Sequence, residues 1–121
     1  RDDVDYNSLK DYAPPVGVLH PRALKADWKG QALDLSSDPD RGLLVDAEVN
    51  LAATLRLSCA TYLCSKRRIF MSRVDALRIG KDFRKTDAQQ ACKIDVNKAS
   101  KLWTAFERQG WFEPRWFERF V

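Results

Sequence analysis

Residues 86–110 read TDAQQACKIDVNKASKLWTAFERQG. Thr86-Asp87-Ala88-Gln89 has the form of a capping box. In that arrangement Thr86 accepts from the backbone N–H of Gln89, and Gln89 reaches back to the backbone N–H of Thr86. The spacing predicts a short helix ending near Cys92, then a tight turn at Lys93-Ile94-Asp95. Asp95 is a good N-cap for a second helix running to about Gln109, with Gly110 as its stop. Short helix, tight turn and longer helix form the helix-turn-helix pattern.

The second helix is amphipathic. Val96, Ala99, Leu102, Trp103 and Phe106 recur at helical spacing and make its buried stripe. Asn97, Lys98, Lys101, Thr104 and Arg108 make the opposite face. In a helix-turn-helix this is the helix that enters the major groove, with its exposed N-terminal half towards the base edges. Lys93, Lys98 and Lys101 lie there, and Asn97 can pair with an adenine edge. The candidate DNA-contacting set is Lys93, Asn97, Lys98, Lys101 and Arg108, with Arg84 and Lys85 ahead of the short helix. The pattern alone leaves a second reading open, in which these are ordinary solvated helix residues.

Working back from residue 86, Ser58 is a cap for a helix with no Gly or Pro before Gly80. That predicts roughly 20 residues, or ~30 Å at 1.5 Å per residue. Tyr62, Leu63, Phe70, Val74 and Leu77 lie on one stripe of it. Asp46 is a plausible N-cap for a preceding helix carrying Val49, Ala52 and Ala53. The expected fold is all-α, with one long central helix and a C-terminal helix-turn-helix part. Residues 43–121 form the helical domain, and residues 1–42 an arm that packs on it. Within the arm, residues 1–12 are expected to hold one short helix, ended by Pro14-Pro15. Pro21 can open a helical turn through Trp28 with Gly30 past its end, and Leu19, Leu24, Trp28, Leu33 and Leu35 are the expected contacts. Glu113-Pro114 starts a last short helix. The tail aromatics Trp111, Phe112, Trp116, Phe117 and Phe120 either fold back onto the core or mark an interface.

The net charge of +4 hides an asymmetry. Residues 1–60 carry 7 basic and 10 acidic side chains, and residues 61–121 carry 14 and 7. A basic half of a small domain points to an acidic partner, most often nucleic acid. Lys66-Arg67-Arg68, with Arg73 and Arg78, is a second basic cluster on the long helix. It can extend a DNA footprint, dock a partner, or simply be solvated.

Catalysis is the weak reading. There is one His, His20, and no G-x-S-x-G, GxxxxGK[ST], G-x-G-x-x-G or HExxH run. Cys59, Cys64 and Cys92 are odd in number and lack CxxC spacing, which argues against a disulfide framework and a zinc site. They are expected to be buried thiols, and no metal or cofactor is expected. A chain of 121 residues, 45% hydrophobic, suits one folded domain. No apolar run reaches the ~20 residues of a membrane helix. No heptad seam suggests a dimer, so a monomer is expected. Beginning at Arg1 without a leader, the chain reads as a piece of a longer protein.

Lys93-Ile94-Asp95-Val96-Asn97-Lys98, followed by Gly110-Trp111, resembles the closing signature of the SWIRM domain. Leu55-Arg56-Leu57-Ser58 with Tyr62-Leu63 and Lys66 resembles the start of that family's long helix, and Asp46-Ala47-Glu48-Val49 the helix before it. The resemblance covers about Leu43 to Trp111, and the flanks are most similar to fungal members without an attached catalytic domain. It implies a non-catalytic nuclear module of chromatin complexes. Some members bind double-stranded or nucleosomal DNA through basic residues of the last helix, and others mainly contact proteins. The expected partners are therefore such DNA and the subunits of a chromatin-modifying or transcription-regulatory complex.

Overall fold

The computed structural model describes residues 3–17 and 24–121. Four α-helices carry the fold: α1 (Asp46–Thr54), α2 (Cys59–Arg78), α3 (Lys85–Ala91) and α4 (Val96–Arg108). Three 3-10 segments flank them among the described residues, Tyr6–Ser8 and Arg41–Leu43 before α1 and Pro114–Phe120 after α4. Among the described residues there is no strand, and no helix is long and apolar enough to cross a membrane.

The long helix forms where the sequence places it. Ser58 Oγ accepts from the Thr61 backbone N–H at 3.2 Å, satisfying one of the donors that a helix start leaves free. Tyr62, Leu63, Phe70 and Val74 are buried along one stripe, with Leu77 half-buried at its end. Three helices end alike. After α1, α2 and α4 the chain turns through a left-handed residue, at Arg56 (φ 58°), Gly80 (φ 67°) and Gly110 (φ 77°). The next N–H then bonds back to the helix: Leu57 to Ala52, Lys81 to Ala76, and Trp111 to Phe106. Paired returning bonds of this kind satisfy the orphan carbonyls of a helix end. Gly110 is well suited to its place, because a Cβ there would also press against the Glu113 carboxylate at 3.1 Å. Arg56 holds the same conformation with a side chain, and its guanidinium donates to the Gln31 carbonyl.

The core lies between α2, α4 and the C-terminal turn. Phe70, Phe106, Trp111, Phe112 and Phe117 are all buried and in mutual ring contact. The tail therefore folds back. Of the tail aromatics, only the half-buried Trp116 and Phe120 keep partial exposure, and Trp116 donates its indole N–H to the Gly110 carbonyl at 3.0 Å.

Several expectations need correction. Val45, not Asp46, is the N-cap of α1, and Asp46 is its first residue. α3 begins one residue before Thr86: the Asp87 carboxylate accepts from the Arg84 backbone N–H at 2.8 Å, and Gln89 instead donates to Ser100 Oγ at 2.6 Å. The Arg84 N–H bond and a Lys81 partner hold the Asp87 carboxyl below its ordinary range. Val96 is 53% exposed because it occupies the first turn of α4, before the stripe meets the core at Ala99. Among the described residues 3–12, the expected short helix is a single 3-10 turn, Tyr6–Ser8. Residues 24–28 are not helical. The start of that expected turn at Pro21, with Leu19 and His20, lies outside the described residues. Leu24 and Leu35 are buried in the core, while Trp28 and Leu33 are half-buried against it.

The three cysteines are free thiols, with Cys59 and Cys64 buried and Cys92 half-buried. Burial pushes the Cys59 and Cys64 thiols up to about 11 and Cys92 up to about 12. At pH 7 fewer than about one in a thousand is thiolate, the form that reacts. Iodoacetamide at pH 7 is therefore expected to leave all three unmodified in the folded chain and to label them in denaturant, read by intact mass.

Candidate nucleic-acid interface

α3 and α4 pack against each other, with Ala88 and Ala99 fully buried, and are joined by the Gln89–Ser100 hydrogen bond. Between them the turn ends at Asp95, whose carboxylate accepts from the Asn97 and Lys98 backbone N–H groups at 2.7 and 3.4 Å. This cap fixes the first turn of α4 and thereby the direction of Asn97, Lys98 and Lys101. Ser100 is held between the two helices by Gln89 and by the Val96 carbonyl, at 2.6 and 3.0 Å.

The structure brings Lys85, Asn97, Lys101 and Arg108 together along one groove of about 390 Å³. The far wall is the arm, through Lys25, Ala26 and Asp27. Lys85 also lies over the Trp103 ring at 5.8 Å. Lys98 turns towards the arm and sits 5.6 Å from the Trp28 ring centre, a cation–π distance. Lys93 is exposed on the turn, outside this groove, and Arg84 is exposed and paired with Asp82 at 3.4 Å. The sequence reading missed Lys25 and the neighbouring Lys29; the available signal was two lysines flanking an aromatic, Trp28, in an otherwise acidic half.

The second basic cluster is engaged internally. Lys66 is buried and pairs with Glu48 at 2.6 Å. Arg67 donates to the Tyr6 carbonyl at 2.7 Å, and Arg68 grips Asp3 with two bonds of 2.8 and 3.0 Å. That grip holds the Asp3 carboxyl below the usual carboxylate range. Arg73 donates to the Phe112 carbonyl at 2.9 Å, and Arg78 to the Phe120 carbonyl at 2.8 Å. Within the described residues the cluster ties both flanks of the chain to α2, and Arg78 is exposed to solvent as well.

Among known proteins, the sequence profile of the SWIRM domain matches residues 36–114. The chain is 49% identical to the SWIRM domain-containing protein FUN19 of Saccharomyces cerevisiae, over 98% of this chain and 30% of that protein. It is 54% identical to the SWIRM domain-containing protein laf1 of Schizosaccharomyces pombe, over 89% of this chain and 38% of that protein. It is also 42% identical to Transcriptional adapter 2 of Candida albicans, over 65% of this chain and 17% of that protein. The chain thus spans less than two fifths of the length of these relatives. No solved structure matches it. The profile spans α1 to α4 and the Gly110 turn, which supply most of the core and the α4 wall of the basic groove, and on that match the chain belongs to the SWIRM family.

Proposed function

We propose that this chain is a non-catalytic, chromatin-associated binding module that contacts duplex or nucleosomal DNA through the phosphate backbone. The observation that carries the reading is the distribution of cations. The basic residues of α2 are held by internal partners, while Lys85, Lys101 and Arg108 face one groove along α4. Uncompensated cations lining a groove are an electrostatic footprint for phosphates. Contacts of this kind position a duplex without reading its sequence. Little sequence preference is expected, because the arm flanks the N-terminal half of α4 that would otherwise lie deep in a major groove. The match to a transcriptional adapter favours a place in a chromatin-modifying or transcription-regulatory complex and a nuclear location.

The test is fluorescence anisotropy on a labelled duplex at about 50 and 200 mM salt. Lys98→Glu with Lys101→Glu is expected to abolish binding without unfolding the chain, read by the thermal melt, since neither side chain is in the core. Wild-type affinity should fall with salt by a slope of about 0.9 per phosphate contacted. Absence of wild-type binding at low salt would sink the DNA reading and favour a scaffold that binds protein subunits only.

A further inference from the structure

We propose that the arm is the second half of the interface: residues 24–29 and α4 form one composite phosphate-binding groove for duplex DNA. This rests on the DNA reading above and deepens it. The arm lies outside the matched SWIRM segment, yet it supplies a wall of the groove. Four cations, Lys25, Lys85, Lys101 and Arg108, line the groove against a single carboxylate, Asp27. Among the described residues Lys25, Lys101 and Arg108 form no ion pair. Such a concentration of like charge has a repulsive cost that bound phosphates relieve. Lys29 extends the same surface past Trp28, beside Asn97 and Lys101.

The arm is held in register for this role. Leu24 is buried at one end, and the Leu33 backbone N–H bonds the Ala53 carbonyl at 3.0 Å at the other. Between them Trp28 rests on Lys98. A duplex fits this surface better than a single strand. Single strands are held by aromatic platforms on which bases stack, and the one aromatic of residues 24–29, Trp28, already faces Lys98.

The test compares three 121-residue chains on the same labelled duplex: wild type, Lys25→Glu with Lys29→Glu, and Lys98→Glu with Lys101→Glu. Lys25 and Lys29 are exposed, so the arm variant should melt as wild type. Its affinity at about 100 mM salt is expected to fall tenfold or more, and its salt slope by about one to two. Wild-type affinity in the arm variant, with loss in the α4 variant, overturns the composite groove and leaves the α4 reading standing. If wild type does not bind the duplex at all, duplex recognition by both surfaces is overturned. An amide-shift titration with inorganic pyrophosphate then separates the two failures. Shifts at Lys25 and Lys101 that vanish in the arm variant would retain the groove as a phosphate site for another polyanion, and their absence would overturn the groove itself.

Discussion

Glu48→Ala is expected to destabilise the fold by about 3–5 kcal/mol, because it leaves a buried ammonium without its counter-ion. Glu48 and Lys66 are both buried, and their side chains meet at 2.6 Å. The same carboxylate oxygen accepts from the Tyr62 hydroxyl at 2.6 Å. Lys66 also lies 4.9 Å from the centre of the Trp111 ring. One carboxylate therefore satisfies two donors on α2 and joins α1 to the aromatic core. Burial, and next the Glu48 charge, push the Tyr62 hydroxyl well above its ordinary value, so it stays a donor throughout the physiological range. Tyr62→Phe should cost much less, since Glu48 keeps Lys66. Glu48→Leu with Lys66→Met should recover most of the loss, because removing both charges removes the desolvation penalty. Denaturant midpoints at unchanged slope would report these differences. A loss below about 1 kcal/mol in Glu48→Ala would show that water reaches the pair.

The elements that were legible in the sequence are those whose signals are local. Ser58 and Asp95 cap the helices assigned to them, and Gly80 and Gly110 end them, because a cap or a left-handed turn involves only residues within a few positions. The start of α3 was misplaced because Asp87 has a carboxylate short enough to reach the Arg84 N–H, a competitor within the same few residues. The fate of Lys66-Arg67-Arg68 was not legible. Their partners Glu48, Tyr6 and Asp3 are 18, 61 and 65 positions away, and periodicity carries nothing about such pairs. The arm was equally hidden. An extended segment without a sheet neighbour has no repeat to read, so Lys25 and Lys29 stood apart from the α4 face until the chain was folded. The α4 residues were found because a 13-residue amphipathic helix shows its polar face directly.

Phe70→Ala is expected to cost about 3–5 kcal/mol, the range for removing a fully buried aromatic ring. Phe70 is wholly buried, and its ring centre lies 5.5 Å from Phe106, 6.3 Å from Trp111, 5.4 Å from Phe112 and 6.0 Å from Phe117. It is the one side chain of α2 that touches α4, the Gly110 turn and the tail through ring contacts. Deleting it forfeits those contacts and opens a cavity bounded by elements that cannot all collapse inwards, since α4 is also fixed to α3. A domain of this kind has only about 5–15 kcal/mol in total, so the variant should sit near the edge of folding at 37 °C. Phe117→Ala provides the contrast. Phe117 is equally buried but belongs to the 3-10 tail, so its loss can be met by local release of residues 114–120. Hydrogen exchange should therefore show protection falling throughout α2 and α4 in Phe70→Ala, but mainly at the tail in Phe117→Ala. Equal and global effects of the two would mean that the tail and the helices unfold as one unit. In that case the groove along α4 depends on the C-terminal aromatics as much as on its own cap at Asp95.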